Sequence, residues 1–166
     1  MPKSTLIATL ALGASIIAPH AVAQSPSPDT GIVPAGSGAA MAGPATNFTG
    51  KVRVRPIVDA TRLGRTSLGE VTFSPGARSN WHTHPGGQAL YVLDGCGWTQ
   101  REGGPITKIC KGDTAYVPAG VKHWHGATAA SRMTHLAVTE VIGGKNVKWM
   151  EPVSNQQYAA GRKDAP

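Results

Sequence analysis

The sequence predicts an all-β protein folded as one small jelly-roll β-barrel. Short β-prone runs crowd into about 100 residues in the middle of the chain, and clusters of turn-forming residues separate them. No window of helical length keeps a 3.6-residue apolar period. A jelly-roll is the commonest way for so many short strands to protect their edges. At 166 residues the chain has material for one domain and one good core.

Residues 1–23 read as a signal peptide. Lys3 precedes an uncharged, mostly apolar run from Leu6 to Ala18, and Ala21-Val22-Ala23 has the small-x-small form that signal peptidase cuts. As a helix the run spans roughly 20 Å, short of the ~30 Å hydrocarbon core, so a cleaved signal fits better than a membrane anchor. The expected location is therefore the periplasm or the medium. Residues 24–46 are rich in Pro, Gly, Ala and Ser, with Asp29 as their one charge. They offer too little apolar surface to offset their ordering entropy and read as a disordered leader. The domain is expected over residues 47–153. A polar tail, residues 154–166, follows, and its Asn155 to Tyr158 segment can still dock.

Within the domain, strands are expected at Val52 to Val58, Leu68 to Phe73, Gln88 to Leu93, Gly97 to Arg101, Ile106 to Cys110, Thr114 to Val117 and Thr134 to Val141. Turn chemistry marks the breaks, as in Ser74-Pro75-Gly76, Pro85-Gly86-Gly87, Asp94-Gly95 and Gly103-Gly104-Pro105. A hairpin centred on Gly103 sets Cys96 opposite Cys110, within disulfide reach. An oxidising compartment favours the bridge, whereas a one-residue slip of register would leave two separate thiols.

The formal charge is +7. The basic residues are scattered, with Lys51, Arg53 and Arg55 alternating as one strand face would. Nothing resembles a helix-turn-helix or an aromatic platform on a basic sheet, so the charge reads as a solvated surface and not as a nucleic-acid site.

The chemistry concentrates in two segments. One runs from Gly76 through Trp81-His82-Thr83-His84 and Pro85-Gly86-Gly87-Gln88 to Gly95. An extended strand projects His82 and His84 to the same face, and the turn brings Gln88 back alongside. The other, Gly112 to His123, passes through Pro118-Ala119-Gly120 and supplies a third imidazole. Three histidines and an amide are ligand types for a divalent transition metal: Mn, Fe, Co, Ni or Zn.

These two segments resemble the paired motifs of the cupin superfamily, with every spacing kept. Gln88 stands where glutamate is usual, and Ala127 where asparagine is usual. The resemblance covers roughly Phe48 to Pro152 and implies His82, His84, Gln88 and His123 as metal ligands. A neutral Gln88 would leave the centre near +2 where glutamate would leave +1, which favours anionic ligands and strengthens its Lewis acidity.

Further segments are similar to the small bacterial cupin hydroxynitrile lyases: Trp81-His-Thr-His-Pro, Gly95-Cys-Gly-Trp-Thr-Gln-Arg-Glu-Gly-Gly, Lys122-His-Trp-His-Gly-Ala and Met133-Thr-His-Leu-Ala-Val, with Trp149-Met-Glu near the end. That resemblance implies manganese or iron as the ion, His125 and His135 as active-site residues, and reversible cleavage of an α-cyanohydrin such as (R)-mandelonitrile. His125 shares the inward face of His123, and His135 opens the last core strand. Gly69, Val71, Leu90, Val92 and Thr139 are expected to line the substrate pocket. Two positions depart from the relatives: Thr139 stands where they carry glutamine, and Gly69 where they tend to carry alanine. Another metal-dependent cupin activity, oxygenase or isomerase, and a non-catalytic binder of small anions are the alternatives. The four tryptophans, Trp81, Trp98, Trp124 and Trp149, are expected in the core or at subunit contacts. By analogy the chain is a homo-oligomer, dimer or tetramer, free of the membrane once its signal is removed.

Overall fold

A computed structural model describes residues 31–161. The segment read as a signal peptide, the first part of the segment read as a leader and the last five residues lie outside the described residues. Among the described residues twelve strands and one helix follow one another: β1 (Met41–Ala42), β2 (Phe48–Thr49), β3 (Val52–Val58), β4 (Thr66–Phe73), β5 (Arg78–Ser79), β6 (His82–Thr83), β7 (Gln88–Arg101), β8 (Thr107–Cys110), β9 (Thr114–Val117), β10 (His123–Ala127), β11 (Met133–Glu140), β12 (Lys148–Trp149) and α1 (Asn155–Ala160). The strands pair antiparallel in the order β1-β3-β4-β11-β7-β10-β5-β2. Strands β8 and β9 pair with β7, β6 pairs with β10, and β12 pairs with β6. The sheet curls into a half-barrel.

The long strand β7 joins the two sides of that curl. The break predicted at Asp94-Gly95 is a bend inside a continuous strand of 14 residues. Gly95 takes a φ of 73°, and a Cβ there would lie 1.9 Å from the Arg132 carbonyl oxygen. Only glycine fits that crossing. The first part of β7 pairs with β11 and β9, the second with β10 and β8.

Side-chain alternation then sorts the residues between two faces. One core cluster gathers Val52, Val71, Phe73, Val92 and Met133 inside the curl. On the other face of β10, Trp124 packs with Trp81 and Trp98. The His-x-His pattern with tryptophan beside or between the histidines thus puts imidazoles inside and indoles outside. Helix α1 covers the indoles. Its capping box is made by Ser154 and Gln157, Tyr158 is buried against Trp98 and Trp124, and the Tyr158 hydroxyl donates to the Ala127 carbonyl at 2.8 Å. The buried Arg78 donates to the Val153 carbonyl and to Asn155 Oδ1, and its guanidinium sits 4.7 Å from the centroid of the Tyr158 ring. The polar segment 154–161 therefore docks on the fold through Tyr158, with most of its other side chains exposed. At the other end, pairing of Met41 and Ala42 with Val54 and Arg53 extends the sheet into the segment read as leader.

Cys96 faces Cys110 in the register expected from the Gly103 centre, and the two form a disulfide. The bridge closes a loop across 14 positions. Cys96→Ser with Cys110→Ser is expected to cost about 2–4 kcal/mol in urea unfolding. An unchanged midpoint would show that the hairpin needs no staple.

Candidate active site

The histidines meet because short strands bring distant segments into register. His123 on β10 lies directly opposite His82 on β6, and their ring centroids are 4.2 Å apart. His84 follows β6, with its ring 5.1 Å from that of His82 and 5.6 Å from that of His123. Gln88 opens β7, and its Oε1 lies 3.0 Å from His123 Nε2. All four are buried.

Backbone carbonyls fix the protonation of the three rings. His82 Nδ1 donates to Asn80 O at 2.8 Å, His123 Nδ1 to Val121 O at 3.0 Å, and His84 Nδ1 to the Asn146 carbonyl. A carbonyl only accepts, so each neutral ring turns an Nε2 lone pair inward. Burial, the largest influence, holds all three rings below their ordinary pKa, with His123 at about 4. His123 Nε2 then presents a lone pair to the oxygen of Gln88, and His84 Nε2 is buried with no partner. Facing lone pairs at hydrogen-bond distance call for a cation. The donor set fits a divalent metal ion held by histidine nitrogen and amide oxygen.

Beside the predicted ligands, one further histidine comes within reach of the same ion. Ligand atoms of His82, His123 and His125 all lie within 4.8 Å of one another. His125 joins because it is two residues along β10 from His123, and the His84 ring, 5.1 and 5.6 Å from those of His82 and His123, stands as near to them as the His125 ring at 5.2 and 6.0 Å.

His125 and His135 sit side by side, ring centroids 4.9 Å apart, with His135 stacked on Phe73. His125 Nδ1 and both nitrogens of His135 are buried without hydrogen-bond partners. Desolvation, the first cause in each, pushes His125 well below its usual pKa and His135 to about 4. Burying unpaired imidazoles costs stability, so a fold that retains them implies a use for them. The metal-free protein should show that cost in acid. An unfolded chain protonates His135 and His123 below about 6.5, whereas the fold refuses those protons down to about 4. Stability present above that window is lost as pH falls through it, on the order of 3 kcal/mol for His135 alone. A urea midpoint that stays flat between pH 7 and 4.5 would contradict this.

These rings open onto a cavity of about 290 Å³. Of the residues expected at a substrate pocket, Gly69, Val71 and Thr139 line this cavity. Leu90 and Val92 do not. They share the inward face of Gln88, but both are fully buried, and Val92 packs with Phe73 and Met133 in the core. The cavity also takes Phe48, Ser67, Asn146, Val147 and Trp149, none of which sequence reasoning singled out for the pocket. Ser67 carried a readable signal, since it alternates with Gly69 and Val71 on β4. Trp149 carried none, because β12 is two residues long and is placed by its pairing with β6.

A family model for the cupin domain matches residues 69–139. The chain belongs to the cupin family. It is 51% identical over 123 residues to the (R)-mandelonitrile lyase of Granulicella tundricola, covering 74% of this chain and 94% of that protein. A cupin-like protein of Thermotoga maritima is 35% identical, with a TM-score of 0.68 over 71% of this chain and 90% of that one. A cupin 2 conserved barrel domain protein of Rhodopseudomonas palustris, at 18% identity and a TM-score of 0.59, covers 77% of this chain and 86% of its own, and shares the fold.

Proposed function

We propose that this protein is a metal-dependent hydroxynitrile lyase that cleaves α-cyanohydrins such as (R)-mandelonitrile to an aldehyde and cyanide. The observation that carries this is the pair His125 and His135, buried beside the candidate metal ligands with three ring nitrogens unpartnered. The 51% identical relative named (R)-mandelonitrile lyase supports the choice of substrate.

His82, His84, Gln88 and His123 would hold the ion, manganese or iron by resemblance. When bound, it supplies Lewis-acid stabilisation of negative charge developing on the substrate oxygen. A neutral ring nitrogen of His125 or His135 takes the hydroxyl proton. The carbon–carbon bond to the nitrile breaks, its electron pair leaves with cyanide, and the carbonyl forms. The imidazolium so made is a strong acid in this desolvated setting and returns its proton to cyanide, which departs as hydrogen cyanide. The apolar wall, with Val71 and Ala137, accommodates the aldehyde side chain and excludes water. The same proposal places the protein outside the cytoplasm, in keeping with its disulfide, and in a homo-oligomer.

The test follows benzaldehyde release from (R)-mandelonitrile after metal removal and separate reloading with Mn(II), Fe(II) and Zn(II). Turnover that is lost on removal and regained on reloading is the expected result. A folded, metal-loaded protein without turnover would overturn the assignment.

A further inference from the structure

The cavity has a second polar patch that the proton transfers do not use. Thr139 and Ser67 are cross-strand partners on β11 and β4, and their hydroxyl oxygens lie 2.8 Å apart. Asn146 Nδ2 donates to Thr139 Oγ1 at 3.4 Å. One shared bond uses one of the two hydroxyl protons. If Thr139 donates it, the Ser67 proton has only a long contact of 3.4 Å to the Thr139 carbonyl; if Ser67 donates it, the Thr139 proton is free for a guest. Asp59, also on the cavity lining, is taken up by Thr61, whose N–H donates to its carboxylate at 3.0 Å.

The wall between this patch and His135 carries very little side chain. Thr139 lies four residues along β11 from His135, ~13 Å at strand rise, and Ala137 lies between, paired with Gly69. A Cβ on Gly69 would meet nothing closer than the Arg55 carbonyl at 3.7 Å, an ordinary contact. Packing therefore does not demand glycine, and its missing methyl leaves room along the wall.

We propose that Ser67 and Thr139 are the specificity-determining pair of this cavity and select substrates whose side chain ends in a hydroxyl, such as hydroxyaryl aldehydes and their cyanohydrins. The reacting carbon lies toward His125 and His135, the ring covers Gly69 and Ala137, and the distal hydroxyl exchanges hydrogen bonds with the pair. The orientation rests on the lyase proposal, whereas the preference for a hydroxyl rests on the patch itself.

Calorimetric titration of the Mn(II)-loaded full chain with benzaldehyde and with 4-hydroxybenzaldehyde separates the two. Wild type should bind the hydroxylated aldehyde about fivefold more tightly, the worth of one net hydrogen bond. Ser67→Ala with Thr139→Val should bring that ratio to about one, and Ser67→Ala alone should reduce it. Thr139→Ser, which keeps the hydroxyl, should retain it. A wild-type ratio near one, a ratio that survives in the folded double variant, or no binding of either aldehyde overturns the proposal. A retained preference in a protein that does not cleave mandelonitrile would sink the lyase assignment alone.

Discussion

His125→Ala in the metal-loaded protein is expected to lower (R)-mandelonitrile cleavage by ~10²–10⁴-fold, the usual worth of a positioned general base or acid. His135→Ala should fall in the same range, since the two rings are in edge-to-face contact and can share one proton-transfer task. Stability should move the other way. The deleted nitrogen of His125 has no partner to strand, so its loss removes a desolvation cost, and the thermal midpoint should hold or rise. Metal content is the deciding second readout, because a His125 ligand atom also lies within 4.8 Å of those of His82 and His123. Retained metal with lost turnover assigns His125 to proton transfer. Metal lost together with turnover would make it a ligand and overturn the proposed role.

His123→Ala should have an effect at least as large, by a different route. Its ring lies closest to that of His82, faces Gln88 through Nε2, and holds Nδ1 on the Val121 carbonyl. Losing it removes an inward nitrogen from the middle of the donor set. Affinity for Mn(II) should drop by more than ~100-fold, since even outer partners of a metal ligand are worth ~10–100-fold. Cleavage should vanish, as should the rise in thermal midpoint when Mn(II) is added to wild type. Stoichiometric metal in folded His123→Ala, measured after dialysis, would place the ion elsewhere. Gln88→Glu makes the contrast: a carboxylate should tighten metal binding while lowering the charge of the centre and its power over the substrate oxygen.

Strand content and the facing of the candidate ligands were readable because both rest on local rules. Period-2 alternation and glycine turns marked β3, β4, β9 and β11 to within a residue or two at each end. Two histidines spaced by one residue had to share a face, and Cys96 had to meet Cys110 once Gly103 centred the hairpin. The five two-residue strands were not readable, since so short a run has no period and exists through its partner. Strand β10 was supposed only through the shared facing of His123 and His125 and not from its own run: the sequence His-Trp-His-Gly-Ala looks polar, yet every residue is buried between the cavity and the tryptophan layer.

The sequence by itself determined the β architecture and the common facing of the candidate ligand histidines, because chain stereochemistry alternates side chains wherever a strand forms. Tertiary structure alone decided that Leu90 and Val92 sink into the core, that Trp149 and Asn146 reach the cavity, and that Ser67 meets Thr139 across β4 and β11. It also decided that residues 154–161 dock on the fold, through the burial of Tyr158 and the bonds made by Arg78. The physical reason is the same in each case. Depth within a curved sheet and the pairing of remote strands depend on every strand at once, and no local pattern encodes them.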